Sequence, residues 1–455
     1  MMSVLLIVPA FNLFDATLAP LALAANHGPL SVPTVIALIS SFFFGALIAC
    51  KISLHVGVPS IFGVLILGVC INLELINEYL SPTMVEVLQS SSLALLLFYA
   101  GLSTSFSKLK GLVGFGLLLA VGGVIVSSLM FGSLIWLIAV SLHYFLPSLP
   151  ALPLSVCFLV AACLGSTDAS ATMNVLGRVS GLVPQRVKCV LEFESSLNDP
   201  AAILFLSATT GVFIAMQEPN MMPLTLIAEQ FQSFLRNVGS GILCGLILTY
   251  IAQYVLKGVL ISRDQVLVLG MSIAMAAYGF TTLFGGSGFI AAFVTGCFLS
   301  NNIYDNPYLT KELIEHSLEP FSALMELMVF LLFGMLFDPS LLVLYWLPGL
   351  LAALVLMLLV RPISVILFRR FSPLTNRENA LVCWCGLRGA VPLALVYIVL
   401  TELKSVTGLV GEELVVVQEY FQALVFMIVV LNLCIQGLTL PRYCQWLGFS
   451  PSSND

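Results

Sequence analysis

Long apolar runs, each closed by a short polar break, repeat along almost the whole chain. Their length predicts helices of about 20 residues, enough to cross a bilayer. The runs lie roughly at 33–53, 57–76, 86–105, 111–141, 150–177, 187–214, 233–256, 264–283, 286–300, 320–337, 341–368, 378–400 and 417–440. The first 30 residues are apolar as well, but Pro9, Asp15 and Pro20 interrupt them. No Lys or Arg precedes that stretch, which makes it a poor secretory signal. Residues 1–32 therefore read as a periplasmic or interfacial lead-in, with a fourteenth span as the alternative.

Composition turns this pattern into a class. The chain has 455 residues, 60% of them hydrophobic and 9% charged, against about 25% charged in an ordinary soluble chain. That excludes a soluble enzyme, a nucleic-acid binder and a disordered protein, and leaves an all-α polytopic membrane protein. Cation placement then orients it. Thirteen cations (Lys51, Lys108, Lys110, Arg178, Arg186, Lys188, Lys257, Arg263, Lys311, Arg369, Arg370, Arg377 and Arg442) fall on one side of the predicted helices, and two (Lys404, Arg236) on the other. Under the positive-inside rule the N-terminus is outside and the C-terminus cytoplasmic, in the cell membrane. The remaining two, Arg361 and Arg388, lie inside predicted spans. The 11 cysteines form no Cys-x-x-Cys, and His27, His55, His143 and His316 stand far apart. No cofactor or His-based metal site is expected.

An internal repeat organises the helices. LLFYAGL (96–102) recurs as LLFGML (331–336), GVPSIFG (57–63) as GGSGFIA (285–291), and the interrupted helix GSTDAS (165–170) as GLRGAVP (386–392). The offsets are about 220–235 residues, or seven helices. An odd number of spans inverts the second copy, and inverted repeats with paired broken helices mark secondary transporters. The domains are then repeat one at about 33–214, a linker helix at about 233–256, repeat two at about 264–440, and a short tail at 441–455.

Charges within the hydrocarbon are functional candidates by default. At 1.5 Å per residue from the nearest loop cation, Asp199, Asp168 and Arg388 lie about 15–16 Å deep, near the middle of a roughly 30 Å core, and Arg361 about 12 Å deep. In FESSLNDPAA (193–202), Ser195 and Asp199 share one helix face, and Glu194 and Asn198 the next. Oxygen ligands of this kind suit a hard cation. Pro200 frees the carbonyl at position 196. The poor helix former GSTDAS exposes further carbonyls, which unwound backbone at membrane depth can offer to a cavity. Arg388 can offset the negative end of a half-helix. Glu326 is expected to line the inner funnel or to snorkel. His55 is expected near a cytoplasmic helix end, solvated or sensing pH.

These residues resemble the first family of monovalent cation/proton antiporters, which holds bacterial sodium/proton antiporters and animal sodium/proton exchangers. The likeness rests on FYAGLSTSFSKLK, Thr167-Asp168, Glu194-Ser195-x-x-Asn198-Asp199, Arg361-Pro362 and Gly386-Leu387-Arg388-Gly389, and covers about 33–440. It implies that Asp199 alternately binds cation and proton, with Ser195, Asp168 and the Thr167 carbonyl as companion ligands. It implies too that Asn198 holds Asp199 in place while bonded to the broken-helix backbone, that Glu194 pairs with Arg361, and that Arg388 serves the crossover. Helices 5, 6, 12 and 13 would form a moving core, and the other bundle a homodimer interface. Ser196 departs from the family pattern, which has an apolar residue there. The expected activity is exchange of Na+ or Li+ for H+, electroneutral and 1:1. K+/H+ exchange is the alternative, a cation channel a more distant one, and a two-aspartate membrane hydrolase more distant still. The tail after Leu440 is too short for a nucleotide- or calmodulin-binding domain.

Overall fold

The computed structural model describes residues 32–71, 81–104, 112–177, 183–217, 223–259, 265–301 and 311–449. The lead-in up to residue 31, the loop cations Lys108, Lys110, Arg178 and Arg263, and the end of the tail from residue 450 lie outside the described residues. What is described is all helical. In chain order the rods are α1 (Val32–Val56), α2 (Ser60–Cys70), α3 (Pro82–Ser103), α4 (Val113–Phe145), α5a (Leu154–Cys163) and α5b (Ala169–Gly177), α6 (Gln185–Ala215) and α7 (Pro223–Val259). Then follow α8 (Gln265–Leu283), α9 (Gly288–Ser300), α10 (Lys311–Met335), α11 (Ser340–Leu367), α12a (Asn376–Trp384) and α12b (Ala390–Thr407), and α13 (Glu412–Trp446).

Ten of these helices are long and apolar enough to cross a membrane, while α2, α5a and α9 are shorter apolar pieces. Local chemistry fixes several ends. Ser81 caps α3 by accepting the Met84 amide, with Pro82 at the first helical position. Thr375 and Glu378 close a capping box on α12a. Hydropathy misplaced several boundaries. Helix α10 begins at Lys311 rather than 320, because its first turns are polar and the chain stays helical through Pro320. Helix α7 begins at Pro223, and α13 runs on through Pro441 to Trp446, past the predicted end at 440.

The repeat is visible in the packing. Gly68 of α2 lies against Gly334 of α10: a Cβ on Gly68 would meet the Leu331 carbonyl oxygen at 2.5 Å, and one on Gly334 the Leu65 oxygen at 2.4 Å. The matching crossing pairs α3 with α9, where a Cβ on Gly101 would meet the Phe293 oxygen at 2.3 Å. Backbones can approach this closely only where side chains are absent, the usual device for packing helices in lipid. Helix α3 of the first repeat corresponds to α10 of the second and α2 to α9, so the two crossings are related by the repeat. A single π-turn interrupts α4 at Leu118–Gly122 and its repeat-mate α11 at Leu356–Val360.

Both broken helices unwind where the sequence foretold. Helix 5 is interrupted between Cys163 and Ala169 and helix 12 between Trp384 and Ala390. The main apolar cluster joins α5a, α6, α11, α12b and α13 through residues such as Val160, Leu191, Val360, Leu395 and Phe426. It encloses the two breaks and leaves polar groups there to pair with one another.

Candidate ion-binding site

The backbone of each break is satisfied by the other. The Asp168 amide donates to the Leu387 carbonyl at 2.7 Å, and Arg388 Nη1 donates to the Ser166 carbonyl at 2.6 Å. Buried backbone groups left unpaired would each cost on the order of 1–3 kcal/mol, so these reciprocal bonds permit unwound chain at this depth. Asp168 also works locally: its Oδ1 accepts the Ala171 amide at 2.9 Å, capping α5b with negative charge at the positive end of the half-helix. Arg388 is 2% exposed and places a cation beside carbonyls of the opposite break. Asp168 and Arg388, the two residues expected to neutralise the broken ends, each make a hydrogen bond at a break.

Helix α6 passes beside this crossover. Asn198 Nδ2 donates to Thr167 Oγ1 at 2.6 Å, and Thr167 Oγ1 lies 3.0 Å from Ser195 Oγ. Asn198 therefore engages a side-chain hydroxyl, which corrects the expectation of a bond to the broken-helix backbone. Thr167 is held upright between two α6 side chains, and its hydroxyl satisfies the amide before any carbonyl is reached. A shared cavity of about 130 Å³ is lined by Thr167, Asp168, Ser195, Ser196 and Asp199 on one wall and by Tyr99, Ser322 and Glu326 on the other. Asp168, Asp199, Ser195 and Thr167 thus line one space, together with Ser196 and Glu326. Ser196 Oγ donates to the Glu192 carbonyl at 2.8 Å, so its proton is spent within the helix and its lone pairs remain for the cavity.

Gly389 is forced by this geometry. A Cβ at that position would lie 1.6 Å from Asp168 Oδ2. Glycine allows the second break to press against the carboxylate of the first.

Glu194 and Arg361 stand apart from the cavity. The carboxylate takes Arg361 Nη1 and Nη2 at 2.5 and 2.9 Å, both side chains are buried, and Nη2 also reaches the Val382 carbonyl at 3.3 Å. One bidentate pair thereby fastens α6 to α11 and α12a. A second bridge, Arg186 to Glu378 at 2.6 Å, joins α6 to α12a nearer the surface.

Two residues escaped the sequence reading. In α13, Asn432 Oδ1 accepts the Arg388 amide at 2.8 Å and Nδ2 donates to the Gly386 carbonyl at 3.3 Å and to Gln436 Oε1 at 3.0 Å. Asn432 holds the second break as Asn198 holds the first, one helix later in each repeat. The signal was an uncharged polar pair at i, i+4 inside an apolar run, which a search for charges alone passes over. His55 Nδ1 lies 2.7 Å from the Lys51 carbonyl in its own helix.

Chemically, two carboxylates, hydroxyls and an unwound segment surround a space open enough to admit a small ion. Like charges facing one cavity repel when both are ionised, so the arrangement attracts a proton or a metal cation.

Comparison with known proteins gives relatives over most of the chain. The profile of the family described as sodium/hydrogen exchanger, transmembrane, matches residues 36–446. A protein of Shewanella sp. (strain ANA-3) named K(+)/H(+) antiporter NhaP2 is 30% identical over 416 residues, which are 88% of this chain and 66% of that protein. The chain thus spans just under two thirds of the length of that relative. The Na(+)/H(+) antiporter ApNhaP of Aphanothece halophytica is 28% identical over 83% of this chain and 67% of its own length. Among solved structures, the sodium proton antiporter MjNhaP1 from Methanocaldococcus jannaschii at pH 8 superposes with a TM-score of 0.73 at 22% identity, covering 91% of this chain and 99% of that one. That likeness speaks for the fold.

Proposed function

The chain belongs to the sodium/hydrogen exchanger family, and on that premise we propose that it exchanges a monovalent cation for H+ through competition at Asp199. The observation that carries this reading is the convergence of Asp199, Asp168, Ser195 and Thr167 on one cavity at the crossing of two broken helices. A carboxylate removed from water disfavours its charged form. It gains either by taking a proton or by binding a cation whose lost hydration is replaced by neighbouring oxygens. Each loaded state is closer to neutral than the empty one, so the core crosses the membrane carrying one ion or the other. A single site then yields obligatory exchange.

Asn198 stands beside Asp199 where a second acid would add a charge, and this supports one proton per cation and electroneutral exchange. In this reading Glu194–Arg361 and Arg186–Glu378 keep α6 and α12a together as the core moves, with the N-terminus outside and the C-terminus cytoplasmic. Helices 5, 6, 12 and 13 form that moving core, and the remaining bundle carries a homodimer interface. Sodium or lithium is the main candidate cation. Potassium is the second reading, favoured by the K(+)/H(+) antiporter name of the Shewanella relative.

The test is exchange in proteoliposomes with Na+, Li+ and K+ for the intact chain and Asp199→Asn. The reading expects saturable, proton-coupled exchange, insensitive to an imposed membrane potential and lost in the variant. Cation uptake without proton coupling would indicate a channel instead. Normal exchange by Asp199→Asn would remove the site assignment.

A further inference from the structure

A second cavity, of about 390 Å³, lies away from the ion site between the second half of α11, one face of α12a and the end of α13. Its chemistry is divided. One wall is the apolar ridge Met357, Leu358, Pro362, Val365 and Ile366, and Leu358 and Ile366 are more than half exposed on the surface of α11. At one end stands Arg369, whose Nη2 donates to Asn376 Oδ1. Its remaining N–H groups have no acidic partner among the described residues, and neither do those of the neighbouring exposed Arg370 and Arg377. The back wall carries Trp384 and Tyr443, with ring centroids 5.4 Å apart, the indole N–H donating to Thr439 Oγ1 at 3.0 Å.

An apolar trough ending in a guanidinium with no acidic partner among the described residues, and flanked by Trp and Tyr, has the layout of a membrane interface. Basic pockets between helices at such a level take anionic headgroups, and guanidinium is the donor best matched to phosphate. A soluble anion would use Arg369 and leave the trough empty. A zwitterionic lipid would fill the trough and return a positive charge to a site that already holds the Arg369 guanidinium.

We propose that this pocket binds one phospholipid with an anionic headgroup, its phosphodiester on Arg369 and an acyl chain along the Leu358–Ile366 ridge. The occupied pocket would bridge α11 and α12a beside the Val382 carbonyl that receives Arg361, so the lipid would brace the same joint as the Glu194–Arg361 pair. Binding itself does not depend on the transport reading or on which ion is carried.

The experiment uses the full chain in detergent. Phosphatidylglycerol, phosphatidylcholine of the same acyl chains, and glycerol phosphate alone are titrated in turn, with bound lipid counted by native mass spectrometry and thermal stability followed in parallel. The expected result is one retained phosphatidylglycerol and a raised melting temperature, with neither effect from phosphatidylcholine or glycerol phosphate. Arg369→Gln should weaken retention by about tenfold or more, the loss of a hydrogen bond to a charged group, with unchanged melting in phosphatidylcholine. Leu358→Trp, a change at an exposed position, should fill the trough and abolish retention even if the arginine variant fails to fold. Equal retention of both lipids, retention unaffected by either substitution, or full stabilisation by glycerol phosphate would each overturn the proposal.

Discussion

Removing one member of the Glu194–Arg361 pair should be far worse than removing both. Each side chain is at most 6% exposed, and the guanidinium has two Glu194 oxygens and one carbonyl as acceptors while its Nε already lacks a partner. Glu194→Leu leaves a full positive charge in a dry interface with no counter-charge. Arg361→Met leaves a bare carboxylate. Stranding a buried charge in this way costs about 3–5 kcal/mol, whereas replacing a buried pair with apolar residues of similar volume is often neutral. Glu194→Leu combined with Arg361→Met should therefore recover most of the loss, a coupling of about 3 kcal/mol or more against about 0.5 kcal/mol for independent sites. Equilibrium unfolding in mixed micelles of native and denaturing detergent would measure it. Effects of the two single substitutions that simply add would refute the reasoning and reduce the pair to a passive contact.

Other consequences are local to the crossover. Gly389→Ala puts a Cβ 1.6 Å from Asp168 Oδ2, so the carboxylate must leave its cap on Ala171; exchange should fall by about a hundredfold, as expected when a reacting group is misplaced by about 1 Å, while the protein remains monodisperse on size exclusion. Asn432→Leu should lower melting temperature and exchange together, because it strands the Arg388 amide and Gly386 carbonyl, at about 1–3 kcal/mol each. Ser195→Ala should raise the KM for the cation several-fold with little change in stability, since Thr167 keeps its bond from Asn198. Arg186→Gln leaves Glu378, 2% exposed against 51% for the arginine, with only its Thr375 bonds, so stability should fall by about 1–3 kcal/mol.

The fold was legible because lipid imposes so strict a length and polarity rule on each helix. Three motif pairs at one offset revealed the inverted repeat, and the packing of Gly68 on Gly334 and Gly101 on Gly296 is its three-dimensional form. The charged residues of the candidate site were legible for a related reason: Asp168, Asp199, Glu194, Arg361 and Arg388 stand out against hydrocarbon. What stayed hidden were neutral polar residues whose role depends on a partner far along the chain. Asn432 meets Arg388 across 44 residues, and the hydroxyl of Thr167, rather than a carbonyl, takes the Asn198 amide. The polar opening of α10 and the cavity beside Arg369 were hidden as well, because hydropathy says nothing of which loops and helix ends come together.

Competition between cation and proton for one carboxylate is tested most directly by binding without transport. Weakly buffered, purified protein is titrated with Na+, Li+ and K+ while released protons and bound cation are measured together. Binding at a protonated ligand must expel its proton, so the account predicts about one proton released per cation bound, and neither binding nor release in Asp199→Asn. Cation binding with no proton release, or unchanged release from the variant, would contradict it.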